Sequence, residues 1–495
     1  MRRIFDSGLG ATAGTAFVLT AGMTAMLQPK AAPAGPSRTA ADVLRQYDRP
    51  GPRYTSYPTA VEFSDRFDEA AYRGRLQAAA SDPDAPMSLY VHVPFCEERC
   101  TYCGCMTIIT KKHDVAARYL DYLEREVAML ATELGGRRRV VQHHWGGGTP
   151  TYLTADQIER LYGTIARHFE LDAGAETAIE IDPRVTTREQ LSLLRSLGFN
   201  RLSMGVQDFT AEVQQAIGRH QSEALTRDVY EFARAIGFTS INVDLIYGLP
   251  LQTLATFTRT LESVAAMRPD RVAVYSYAHV PWLRPHQSRI DQAQLPDRDL
   301  KFDLIGAAVG TFTSAGYDTI GMDHFALPGD ALAAAARERR LHRNFMGYTT
   351  RRAGDMLGVG VSAIGDLRGA LAQNVKKLPP YYSAIEAGVF PIERGYVLTR
   401  DDVIRRHVIS ELMCNLFVDR HDVASRFGID FGAYFAAELE ALAAAGGPAD
   451  DGFLRIDNDA LEVLDEGRLF VRNICMQFDS YLPAHHGRRV FSRTI

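Results

Sequence analysis

The sequence predicts an α/β protein: a partial or open (β/α)6-type, TIM-like barrel followed by a smaller, mainly helical C-terminal domain. Three observations carry this. Six short β-branched or aromatic runs recur from residue 89, namely "LYVHV", "VVQHHW", "TAIEI", "RLSMGV", "INVDLIYG" and "RVAVYSY". Stretches of helical period separate most of them. The chemically unusual residues fall directly after the runs, where parallel α/β folds gather their ligands.

Taken in order, "LYVHV" is followed by a cysteine-rich loop and the periodic "AARYLDYLEREVAMLATEL". "VVQHHW" leads into "GGGTP" and "TADQIERLYGTIARHF". "TAIEI" carries Glu180, with Asp182 just beyond, before "TREQLSLLRSLG". "RLSMGV" precedes Gln207, Asp208 and the helical "EALTRDVYEFARAIG", and "INVDLIYGLP" holds Asp244. Strand then helix, repeating every ~25–50 residues, is the βαβ rhythm, whose right-handed crossovers make the sheet parallel. The expected organisation is an extension over 1–40, a segment contacting the active site over 41–88, the barrel over 89–366 and the helical domain over 367–495. Within the last, "FLRID" and "LEVLDEGRLFV" suggest a small wing.

A length of 495 residues with 46% hydrophobic and 23% charged content is that of a globular chain of several domains. A net charge of −5 speaks against a general nucleic-acid binder. The first residues have a basic start and a small-residue apolar run, but Asp6, Gly and Thr dilute it. They read as a disordered extension or a misplaced start, with Met23 or Met26 as alternatives. No other segment has the character of a membrane span.

Four of the six cysteines, Cys96, Cys100, Cys103 and Cys105, fall in "CEERCTYCGC". Thiolates suit zinc or iron–sulfur clusters. A structural zinc site usually draws on two separated knuckles, whereas three thiolates on one loop can reach three irons of a cubane. The spacing therefore favours iron–sulfur over zinc or unliganded thiols without excluding them. His143 and His144 alternate faces of a strand and cannot readily share one ion, so no further metal is expected. Cys414 and Cys475 lie in apolar helical contexts and read as buried thiols.

Cys-x3-Cys-x2-Cys with Tyr102 before the third cysteine resembles the cluster loop of the radical S-adenosylmethionine superfamily. "GPRYTSYPTA", "WGGGTPTYL", "EIDPR", "RLSMGVQDF", "DLIYGLP", "RNFMGYTT", "VGVSAIGDL" and "RLFVRNICMQFDSYL" narrow the resemblance to the oxygen-independent coproporphyrinogen III oxidases, from about residue 50 onward. The resemblance implies a [4Fe-4S] cluster held by Cys96, Cys100 and Cys103, with Cys105 needed but not a ligand. It implies two molecules of S-adenosylmethionine, whose reductive cleavage yields a deoxyadenosyl radical. Tyr90 and Tyr102 would touch cofactor, and Gly147 and Gly148 would meet the methionine part of the first molecule. Glu180 would take its amino group and Arg219 its carboxylate. Gln207 and Asp244 would make ribose or amino contacts, and Ala278 and Ile364 would pack the adenine. Thr149 and Phe345 would face the second molecule, beside Met346, which stands where the family usually has glutamine. Arg53 would meet a substrate propionate, with Lys111 and Lys112 as further candidates.

The implied reaction turns two propionates of coproporphyrinogen III into the vinyl groups of protoporphyrinogen IX. The implied partners are this tetrapyrrole and an external one-electron donor of flavodoxin or ferredoxin type, and the implied form is a cytoplasmic monomer. A haem-binding chaperone of the same lineage generally lacks the extra cysteine and "RYTSYPT", both present here. A radical enzyme acting on a related tetrapyrrole has only Met346 in its favour.

Overall fold

The computed structural model describes residues 40–494, so the extension expected over 1–40 lies outside them except for its last residue. All six runs are strands. β1 (Met87–Val93), β2 (Arg139–Gly147), β3 (Glu170–Ile181), β4 (Arg201–Gln207), β5 (Ser240–Tyr247) and β6 (Arg271–Ser276) pair in sequence order, all parallel. Two short strands, β7 (Asp318–Ile320) and β8 (His324–Ala326), extend the far edge antiparallel. On the near edge β9 (Asp355–Val359) joins β1 in parallel. There β10 (Ile364–Leu367), β11 (Ala370–Asn374) and β12 (Ile392–Val397) follow antiparallel. The 12-stranded sheet has the order β12-β11-β10-β9-β1-β2-β3-β4-β5-β6-β8-β7, so its edges do not meet and the barrel is open.

Burial explains why these runs read so clearly. Helices cover the outer face of the parallel strands, so β1 is buried at six of its seven positions and needs apolar residues on both faces. The covering helices are α1 (His113–Leu134), α2 (Ala155–His168), α3 (Arg188–Ser196), α4 (Glu223–Ala235) and α5 (Leu254–Met267). On α1, Tyr119, Leu123, Val127, Leu130 and Leu134 recur at intervals of three and four and are buried. Both α2 and α3 open with a reciprocal cap, Thr154 with Gln157 and Thr187 with Gln190, each worth about 1 kcal/mol.

The sheet does not stop at residue 366, where the periodic pattern fades. β10 contains that position, and β11 and β12 continue the ladder beyond it. "ALAQN" and "IERGYV" are short and carry no alternation, so only their pairing makes them strands. Beyond them the helix Arg400–Asn415 packs Ile404, Val408 and Leu412 against a three-stranded antiparallel sheet. That sheet is built from 417–419, 460–463 and 454–456 and takes in parts of "FLRID" and "LEVLDEGRLFV".

Residues 48–58 form a strap tied to the C-terminal region. The buried Arg472 donates to the carbonyls of Gly51 (2.6 Å) and Pro52 (3.0 Å). Tyr54 donates to Asp479 (2.9 Å), and Arg493 pairs with Asp48 (2.7 Å). These ties bring Arg53 to the barrel, where its guanidinium donates to the Ser276 carbonyl at the end of β6 (2.5 Å).

Candidate active site

A cleft of about 1040 Å³ opens at the carboxyl ends of β1–β6. β1 runs into the cysteine loop, which Phe95–Cys96 and Ile108–Ile109 close by pairing with each other. All four cysteines are free thiols and line the cleft. The Cys100 sulfur accepts from Arg184 (3.8 Å) and Arg219 (3.9 Å). A hydrogen bond from Cys105 outweighs burial and brings the Cys103 thiol down to about 6. The loop backbone is held from outside as well. Arg284 donates to the Gly104 carbonyl (2.8 Å) and Gln287 to that of Tyr102 (2.8 Å), while the His286 ring meets the Cys103 carbonyl (2.7 Å).

The glycines after β2 are required by close approach. A Cβ on Gly148 would lie 2.6 Å from the Phe95 carbonyl oxygen, and Gly147 has φ +115° against the His92 ring. The Gly147 N–H donates to Glu180 (3.2 Å), and His144 reaches the other carboxylate oxygen (3.2 Å). Burial pushes Glu180 up, but His144 and that N–H more than offset it, so the group stays below its usual range, a carboxylate facing the cleft.

Two residues on, Asp182 binds both Arg184 (2.7 Å) and Arg219 (2.9 Å). Arg219 also donates to the Gly205 carbonyl (2.6 Å), which leaves its buried Nε without a partner. Gln207 ends β4 with φ 71°, a strained conformation for a residue with a side chain. Asp244 accepts from Ser203 and Asn242 (both 2.8 Å), and burial pushes its carboxyl up to about 6.

Fourteen sequence-predicted residues thus share this wall, from Arg53 and the four cysteines to Tyr102, the Gly147–Thr149 turn, Glu180, Gln207, Arg219, Asp244 and Ala278. Four do not. Tyr90 lies within β1, its hydroxyl on His92 (3.0 Å) and its ring stacked on His144. Phe345 and Met346 form the tip of the hairpin His342–Thr349, where the Asn344 side chain accepts from the Met346 N–H (2.9 Å). Ile364 begins β10 outside the cleft. Asp208 turns away from the rim and is fully buried, receiving Gln252 (2.7 Å) and Thr260 (3.1 Å). Lys111 is exposed beside Glu98 (3.6 Å), not on the wall. His143 is buried, is held neutral by desolvation (about 3) and accepts from Trp145, a packing role.

The wall also holds groups that were not singled out as site residues. Asp182 and Arg184 were visible as an acid and a base two apart in "EIDPR". Lys376, just after β11, and Arg394, on β12, lie beyond residue 366 and gave no signal of their own.

These residues suit the cofactors of a radical S-adenosylmethionine enzyme. No three His, Cys, Asp or Glu side chains among the described residues gather closely enough to hold a single metal ion. Cys96, Cys100 and Cys103, free thiols on one short loop, can each take a corner of a four-iron cube. The orphaned Arg219 Nε and the Glu180 carboxylate present opposite charges, as the two ends of an amino acid require.

Comparison with known proteins agrees. A model of the radical SAM superfamily matches residues 90–264, and one of the HemN C-terminal domain matches 398–470. The oxygen-independent coproporphyrinogen III oxidase of Escherichia coli (strain K12) is 48% identical over 453 residues, covering 92% of this chain and 98% of its own. Its counterpart in Synechocystis is 44% identical over 459 residues, covering 92% of this chain and 98% of its own. The solved structure of coproporphyrinogen III oxidase (HemN) from Escherichia coli, a radical SAM enzyme, superposes with a TM-score of 0.83 over 87% of this chain and 97% of that one. The superfamily implies a [4Fe-4S] cluster and S-adenosylmethionine, and the chain belongs to the oxygen-independent coproporphyrinogen III oxidase family.

Proposed function

We propose that this chain converts two propionates of coproporphyrinogen III to vinyl groups without oxygen, giving protoporphyrinogen IX. The observation that carries the reading is the meeting, in one cleft, of the four-thiol loop, the oppositely charged Glu180 and Arg219, and Arg53 from the strap. Each propionate would lose a hydrogen atom, one electron and carbon dioxide, which balances the change to a vinyl group. When bound, the cluster and S-adenosylmethionine supply abstraction of a hydrogen atom at unactivated carbon.

The protein's part is to bind, orient and keep water out. Cys96, Cys100 and Cys103 would hold the cluster by three irons, and Cys105 would stay off it, leaving the fourth iron to S-adenosylmethionine. Glu180 would receive the amino group and Arg219 the carboxylate. Gln207 and Asp244 would meet the ribose side and Ala278 the adenine, with Ile364 outside the wall. Tyr102 would border the cofactor and Tyr90 would back it through His92. A second S-adenosylmethionine would lie toward Thr149, Phe345 and Met346. Arg53 would pair with a propionate. An external flavodoxin- or ferredoxin-like carrier would bring electrons to a cytoplasmic monomer; among the described residues no helix is long and apolar enough to cross a membrane.

The test is anaerobic turnover of reconstituted protein with S-adenosylmethionine, reductant and coproporphyrinogen III, resolving products by carboxylate number. A two-carboxylate product supports the reading and shows that Met346 is tolerated. Deoxyadenosine without decarboxylation would reject it.

A further inference from the structure

Behind the cleft lies a second cavity of about 1030 Å³, and Tyr277 and Ala278 line both. The strap divides them. Asp48, Arg49 and Pro50 face the second cavity, while Arg53 faces the cleft.

The charge around this cavity is one-sided. Six cations line it, Arg49, Arg298, Lys301, Arg488, Arg489 and Arg493, against two carboxylates. Both carboxylates are engaged: Asp48 pairs with Arg493 (2.7 Å), and Asp479 accepts from the Tyr54 hydroxyl (2.9 Å) and the Tyr481 N–H (3.0 Å). Arg49, Arg488 and Arg489 therefore have no ion pair among the described residues. Between them stand Tyr277, Phe491 and the half-exposed Trp282. Guanidinium groups set around aromatic rings select a broad unsaturated body carrying several carboxylates. The volume is at the upper end of those that hold one small molecule.

We infer that this cavity docks the tetrapyrrole. Its macrocycle rests against Trp282 and Phe491, and the propionates not being changed pair with Arg49, Arg488 and Arg489. The reacting propionate reaches past Tyr277 and Ala278 into the cleft. This placement rests on the substrate proposed above and adds where the bulk of that substrate is held and which residues select it.

The experiment uses cluster-loaded full-length protein, titrated by fluorescence with coproporphyrin III, the stable oxidised form with four carboxylates, and with its tetramethyl ester. Two variants, the double R488E/R489E and R49Q, are compared with wild type in binding and in the KM for coproporphyrinogen III. Iron content and S-adenosylmethionine affinity confirm that each variant is folded. The expected result is tight binding of the acid but not the ester, weakened at least tenfold in both variants, with KM rising in parallel. Affinity and KM within twofold of wild type in both variants would overturn the inference, as would equal binding of the ester. A wild type that binds coproporphyrin III through these arginines yet makes no vinyl product would uphold the dock and count against the proposed reaction.

Discussion

Asp182 and Arg219 form an ion pair of 2.9 Å in which both side chains are less than a tenth exposed. Arg184 shares the same carboxylate (2.7 Å), so one anion aims two guanidinium groups at the Cys100 sulfur. D182N leaves the buried Arg219 and the partly exposed Arg184 against a neutral amide, and breaking a buried pair such as Asp182–Arg219 costs roughly 3–5 kcal/mol. The expected outcome is a lower Tm and at least tenfold weaker S-adenosylmethionine binding, read by equilibrium dialysis on cluster-loaded protein. Unchanged affinity would show that Arg219 does not receive the cofactor.

The proposed function gives the cysteines different roles. C105S is expected to retain iron, sulfide and the reduced-cluster resonance while making no vinyl product, whereas C96S, C100S or C103S loses the cluster. Loss of iron from C105S at the level seen in C100S would make Cys105 a ligand.

Glu126, on α1, is fully enclosed and accepts from the Gly360 N–H (2.8 Å), the Tyr381 hydroxyl (2.7 Å) and Asn374 (2.7 Å). Burial outweighs these donors and raises its carboxyl from 4.5 to about 7. The folded state therefore keeps a proton that the unfolded chain has released between those values. Stability from this group is complete below pH 4.5 and falls as pH rises through about 7, by up to ~3 kcal/mol. Glutamine imitates the protonated form, so E126Q should gain on wild type by about 1–3 kcal/mol between pH 5 and pH 8. Denaturant midpoints at the two pH values check this, and parallel changes in both proteins would refute it.

Arg472 tests the strap. R472M strips the Gly51 and Pro52 carbonyls of their donor, at about 1–3 kcal/mol for each buried group left unsatisfied. Trypsin should then cut at Arg49 or Arg53 far faster than in wild type, and the KM for coproporphyrinogen III should rise while S-adenosylmethionine affinity holds. Equal protection from trypsin would mean that the other ties suffice.

The parallel strands were legible because burial on both faces forces apolar runs such as "LYVHV" and "INVDLIYG", and the site followed because its residues sit directly after them. What escaped depends on pairing between distant segments. Nothing local in "ALAQN" says that it continues a ladder begun at β9, so Lys376 and Arg394 were assigned to a different region. Arg219 gives no sequence sign of burial; it follows the end of a short helix at Gly218 and turns inward onto Asp182. Tyr90 and Ile364 show the converse limit, since a family role does not say whether a side chain faces the cavity or supports it from behind.

The tie between Arg472 and Gly51 also has a consequence in time. The ribosome delivers the strap hundreds of residues before the arginine that holds it. The barrel strands and cysteine loop can assemble during synthesis, with N-terminal parts folding first, but Arg53 can settle over the mouth only after Arg472 has appeared. The fold therefore sets an order of manufacture, in which the barrel strands and the cysteine loop come first and the strap is fastened last.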